Sequence, residues 1–159
     1  MWAQLVGIAV GGSLIFGVSL GLVMPDLQLA RAALWLAAWT GLAWCIFGPA
    51  LCLITRKSPF ICAHACLVTM AYGEGVLVAG AVINLLINLA GGTGGPGPVL
   101  FNVAWVALSN LVMGVALSRQ FQAVGVAPWK TLLAWILLLD GSGASFAWLL
   151  QPLLHGRIY

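Results

Sequence analysis

Residues 60–90 read FICAHACLVTMAYGEGVLVAGAVINLLINLA, an apolar run with a single formal charge, Glu74. At about 1.5 Å per residue a helix over this run reaches about 46 Å, well beyond the roughly 30 Å hydrocarbon core of a bilayer. The run is apolar on every side rather than alternating, which excludes the period of a half-buried strand and that of a membrane barrel. As a spanning helix it must tilt, bend or project from the bilayer, and Gly73-Glu74-Gly75 is the natural place for a bend.

Four further apolar runs flank it, at about 2–24, 29–54, 99–118 and 129–150. The breaks are Pro25-Asp26, the polar turn Thr55-Arg56-Lys57-Ser58-Pro59, the Gly/Pro tract 91–98 and the stretch after Ser118. Each run meets the length a spanning helix needs, about 20 residues. Only 6% of the 159 residues are charged and 63% are hydrophobic, whereas soluble domains carry roughly a quarter charged residues. The expectation is an all-α, polytopic integral membrane bundle of about five transmembrane helices, forming one domain over 1–159.

The same composition excludes other classes. No basic run is interleaved with aromatics, so nucleic acid is not an expected partner. No Gly-rich loop is followed by Lys-Ser or Lys-Thr, so there is no phosphate cradle. Met1 to Gly7 contain no Lys or Arg, so the first run reads as a retained helix rather than a cleaved signal.

Orientation follows from the loop cations. With five spans, Arg56, Lys57, Arg119 and Lys130 fall on one side, against Arg31 and Arg157 on the other. The four-cation side is expected to be cytoplasmic, in the inner (cytoplasmic) membrane of a bacterium, with the amino terminus inside and the carboxyl terminus outside. Trp2, Trp129 and Trp148 fall near run ends, where indole rings favour the headgroup region. Trp35, Trp39, Trp44, Trp105 and Trp135 lie deeper and read as packing or lipid contact.

Lipid tails are as apolar as leucine, so close backbone approach at small residues has to hold such helices together. Gly7/Gly11, Gly17/Gly21, Ala37/Gly41, Gly75/Ala79 and Gly141/Ser145 are pairs four apart that suit this role. The abundance of such pairs is expected to make the bundle tight.

Two acids interrupt the apolar runs. Glu74 lies roughly 21 Å and Asp140 roughly 16 Å from the cytoplasmic side, both near mid-depth. The same arithmetic puts Asn110 about 12 Å and Asn102 about 24 Å deep. Three helices are thus expected to bring Glu74, Asp140, Asn102 and Asn110 to a common layer. A charged acid there costs about 2.5–3.5 kcal/mol on insertion scales, so the two acids are expected to be protonated or to share a proton or cation. That set would suit a proton or cation path; it would equally suit polar glue between helices.

The cysteines form a second constellation. Cys45 and Cys52 are seven apart, and Cys62 and Cys66 four apart, so each pair shares a helix face. The turn at 56–59 makes the two helices antiparallel, which brings the four thiols together as candidate ligands for a soft metal. The two-residue spacing common in zinc sites is absent, so no metal and no cofactor is expected. His64 points away from the thiols, about 200° from Cys62.

The stretch from about Ser58 to Leu138 resembles the five-span Yip1-type membrane module. The resemblance is carried by Arg56-Lys57-Ser58-Pro59-Phe60, the Tyr72-Gly73 step and the break at 91–98. It continues in the sequence Ser118-Arg119-Gln120-Phe121-Gln122-Ala123-Val124-Gly125-Val126 and in Trp129-Lys130-Thr131, which opens a last helix. The Asp-Leu-Tyr-Gly-Pro motif of eukaryotic members is not present. The resemblance implies a small helical membrane protein that works through partner proteins rather than by catalysis, and it supplies no active-site residue to carry over. The expected role is therefore non-enzymatic: an accessory or scaffold subunit whose partners are membrane lipid, other membrane subunits or further copies of itself. The alternative is a small transporter or channel that uses Glu74 and Asp140.

Overall fold

The computed structural model describes residues 2–23 and 48–137, and all regular structure among them is helical. The elements are α1 (Trp2–Val23), α2 (Gly48–Thr55), α3 (Pro59–Leu89), α4 (Pro96–Ala123) and α5 (Pro128–Ile136). Helices α1, α3 and α4 are long and apolar enough to cross a bilayer. The expected runs 29–54 and 129–150 are represented by α2 and α5; their remaining residues lie outside the described ones.

Local chemistry sets the helix ends. The Ser58 side chain caps α3 by accepting from the Ile61 amide at 3.4 Å, and Pro59 follows where a missing N–H does no harm. Pro96 and Pro128 likewise open α4 and α5, there without a side-chain cap. At the end of α3, Gly91 takes φ 73°, and the Gly91 and Gly92 amides return to the Asn88 and Ile87 carbonyls. At the end of α4, Gly125 takes φ 74°, and the Gly125 and Val126 amides return to Gln122 and Phe121. Both are Schellman closures, which need a left-handed residue and so favour glycine.

Contacts between helices give their directions. Along α1 and α3 the partners rise together: Trp2 with Phe60, Ser13 with Glu74, Ser19 with Asn84, and the Leu22 carbonyl with Asn88. These helices are parallel. Along α3 and α4 one number falls as the other rises: Asn84 with Asn102, Val76 with Trp105, Gly73 with Ser109. These are antiparallel, joined by the 90–95 loop, whose Gly94 amide also closes the end of α1 on the Val23 carbonyl.

The opposite end is one apolar cluster. Leu51 of α2, Cys62, Ala65 and Cys66 of α3, Leu117 and Phe121 of α4, Val126 and Ala134 of α5 pack together. The α2–α3 and α4–α5 turns therefore meet at one end, and Arg56, Lys57, Arg119 and Lys130 gather around it.

Polarity is distributed inside out. Glu74, Asn84, Asn102, Ser13, Ser19, Ser109, Thr69 and Thr131 are buried between helices. Aliphatic side chains such as Leu53, Leu86, Leu89, Leu100, Val103 and Leu111 face outward. A water-soluble bundle places these two classes the other way round.

Candidate functional site

Glu74 sits midway along α3, where α1 and α4 both come close. Ser13 of α1 donates a hydrogen bond of 2.6 Å to its Oε1. The approach depends on Gly12, since a Cβ there would lie 2.7 Å from the Glu74 Cβ. On the other side of α3, Ser109 of α4 donates to the Gly73 carbonyl at 2.9 Å. A Cβ on Gly73 would in turn strike the Met113 side chain at 2.5 Å. This layer therefore joins α1, α3 and α4 through small residues and short polar bonds.

Asn110 follows Ser109 on α4 and is half-buried; its Oδ1 accepts no hydrogen bond among the described residues. Asn102 belongs to a different layer. It exchanges a reciprocal pair of amide bonds with Asn84, at 2.8 and 3.0 Å. Asn84 also donates to Ser19 Oγ at 3.1 Å, and Asn102 to the Pro98 carbonyl at 2.8 Å. All four amide N–H groups of the two asparagines are thus engaged. Ser19 completes the network by donating to the Phe16 carbonyl at 2.7 Å. Ten residues of α3 separate Glu74 from Asn84, a rise of about 15 Å.

The structure therefore brings Asn110 to the level of Glu74 and takes Asn102 away from it. The physical reason is the length of α4. The polar residues Ser118, Arg119 and Gln120 continue the helix to Ala123, which adds about 7 Å to every depth counted from Ser118. Asp140 lies outside the described residues.

Between these layers Trp105 of α4 crosses to α3 and donates from Nε1 to the Val76 carbonyl at 2.6 Å. Gly80 forms its notch: a Cβ there would be 2.3 Å from the indole ring. Gly114 plays the same part for Trp135 of α5, with an ideal Cβ 2.6 Å from that ring. At Gly7, Gly11 and Gly75, by contrast, a Cβ would meet nothing within 4 Å. Gly12, Gly73, Gly80 and Gly114 are close-approach glycines among the described residues, and Gly7, Gly11 and Gly75 of the spaced pairs are not. The pairs Ala37/Gly41 and Gly141/Ser145 lie outside the described residues.

Cys52, Cys62 and Cys66 are free thiols at the basic end. Cys62 lies 3.4 Å from Thr55 Oγ1, and Cys52 donates to the Gly48 carbonyl at 3.6 Å. Cys62 and Cys66 are buried in the apolar cluster, with Cys52 packed against it. Among the described residues no three Cys, His, Asp or Glu side chains gather as a metal site; Cys45 lies outside them. His64 faces α1, its ring 5.8 Å from that of Trp2.

Sequence reasoning missed Ser13, Ser19, Asn84 and Ser109. One signal was there for Asn84: it and Asn102 each stand nine residues from Thr93, the centre of the α3–α4 connection. An antiparallel hairpin places such residues opposite one another.

Comparison with family models, curated proteins and solved structures finds no match for this chain. What the fold defines is an all-helical chain, among the described residues, with three helices able by length and composition to cross a bilayer.

Proposed function

We propose that this chain is a polytopic membrane protein of a bacterial inner membrane that serves as a non-enzymatic accessory or scaffold subunit, acting through helix–helix contacts with other membrane proteins or with its own copies. The inverted polarity supports the bilayer: buried seams hold the amides, hydroxyls and the carboxyl, while outward faces are aliphatic. The gathering of Arg56, Lys57, Arg119 and Lys130 at one end supports a cytoplasmic position for that end.

The observation that carries the subunit reading is where the internal polar groups go. Ser13 to Glu74, Asn84 to Asn102 and Ser19, Trp105 to Val76 and Ser109 to Gly73 all join one helix to another. Polar groups used in this way fix helix register rather than bind a solute. The Yip1-type resemblance points in the same direction.

One observation favours the second reading, a proton- or cation-linked transporter. Asn110 lies level with Glu74 and keeps a buried carbonyl oxygen without a donor among the described residues.

A proteoliposome flux assay with Glu74→Gln and Asp140→Asn separates the two. A subunit shows no proton or cation flux in any form, and migrates in mild detergent as a stoichiometric complex or a defined oligomer. Flux in the wild type that both substitutions abolish overturns the subunit reading. Release of the chain from membranes by alkaline carbonate overturns the bilayer itself.

A further inference from the structure

An open groove of about 360 Å³ runs along α4, lined among the described residues by α4 side chains and by Tyr72 of α3. Tyr72 and Leu111 stand at its inner end, Val115 lies along its wall, and Arg119 and Gln120 stand at the basic end. From Leu111 to Arg119 the rise along α4 is about 12 Å. Half of a roughly 30 Å hydrocarbon core is about 15 Å, so the groove covers most of one leaflet. It begins with a cation and a side-chain amide, continues over aliphatic side chains, and ends against the exposed Tyr72 ring.

The charge at its mouth has no counterpart in the described residues. Glu74 is the single acid among them, and it is held by Ser13 in the other seam. Arg119 is exposed and four residues from the end of α4, so its long side chain can reach outward to the headgroup level.

Resting on the bilayer reading above, we propose that this groove holds one anionic phospholipid, with its phosphate on the Arg119 guanidinium and one acyl chain lying over Val115 and Leu111 to Tyr72. The planar guanidinium offers a phosphate paired N–H donors, and in phosphatidylcholine the positive choline offsets the phosphate charge that would attract Arg119. The aliphatic wall accepts a chain of either lipid. Selectivity therefore resides at Arg119, and affinity for the tail at Val115 and Leu111.

The test is native mass spectrometry of the full chain in mild detergent, titrated with phosphatidylglycerol and with phosphatidylcholine. The wild type should retain one phosphatidylglycerol, bound about fivefold more tightly than phosphatidylcholine, the factor expected of one interfacial cation. Arg119→Gln should erase that preference. Val115→Trp, which fills the groove, should weaken both lipids. Lys57→Gln, the same charge change at the same end, should leave the preference intact.

An unchanged preference in Arg119→Gln overturns the proposal, as does an equal loss in Lys57→Gln. Displacement of the lipid by inorganic phosphate would make this a bare anion site, and a dimer broken by Val115→Trp would make it an interface between copies; either result overturns it. A photoreactive acyl chain on phosphatidylglycerol keeps the test open on the wild type alone: adducts must map to Tyr72, Leu111 or Val115, and adducts confined elsewhere refute the site. A detergent-extracted chain that binds both lipids alike sinks this inference only. A chain recovered folded without detergent sinks the bilayer reading as well.

Discussion

Near the 90–95 loop, α1, α3 and α4 are joined by the Ser19–Asn84–Asn102 network and by Trp105 on the Val76 carbonyl. At the basic end, Leu51, Cys62, Cys66, Leu117, Phe121 and Ala134 meet with little polar chemistry beyond the Thr55–Cys62 contact. The first region has direction: each bond has one donor, one acceptor and one register. The second has only shape. On the proposed bilayer reading an apolar side chain gains little by leaving hydrocarbon, which leaves dispersion and close fit to hold the second region. The contrast suggests a division of roles, in which the amide network sets how α1, α3 and α4 align and the apolar cluster sets how tightly the two turns close.

Substitutions can break or sharpen that division. The largest effect is expected from Phe121→Ala, which empties the centre of the apolar cluster. The loss should be about 3 kcal/mol, the lower end for a buried Phe, because the cavity remains while the transfer from water falls away. Denaturation in detergent micelles measures it; a loss under half that size would mean the cluster is not closely packed.

Next comes Gly80→Ala. Its methyl group would overlap the Trp105 ring, at a cost of about 2 kcal/mol. A second substitution, Trp105→Leu, should recover part of the loss, with a coupling of at least about 0.5 kcal/mol. Additive effects would show that the notch is not what seats the indole.

Asn84→Leu should cost about 1–2 kcal/mol, since it leaves the Asn102 amide unmatched. Its more telling readout is register. Cysteine cross-linking between α3 and α4 should spread from one partner to several in this variant, and should stay sharp in Phe121→Ala. The opposite pattern would reverse the roles assigned to the two regions.

Ser13→Ala should cost about 0.6 kcal/mol, the typical size of a bond between helices in a membrane. The smallest effect is expected at Gly11→Leu. No described atom lies within 4 Å of a Cβ there, so the midpoint should move by no more than about 0.5 kcal/mol. A large shift would show that the outward face of α1 is covered by another chain.

Gly11 and Gly12 show how far the sequence could be read. Spacing singles out Gly7 and Gly11 as a close-approach pair, yet the neighbour of Glu74 is Gly12. Adjacent helical residues differ by 100° in direction. A spacing rule finds residues that share a face, and it contains nothing about which face meets a partner. Asn102 teaches the same lesson in depth. Counting from Ser118 put it in one layer with Glu74, but α4 continues through Arg119 and Gln120 to Ala123. Polar residues at the end of an apolar run do not stop a helix; Gly125 and Pro128 do. The mid-helix position of Glu74, by contrast, was legible from the apolar run around it.

The amino-acid sequence by itself determined the helical class, the three long apolar helices and the places where the chain reverses. All of these follow from properties of neighbouring residues: hydrocarbon content over a window, and Gly or Pro at the ends. Only the tertiary structure decided that Ser19 meets Asn84, that Gly80 receives Trp105, and that Ser13 meets Glu74. Those choices depend on the rotation and offset of whole helices, which are set jointly by contacts between residues far apart in the chain, and no local stretch carries that information.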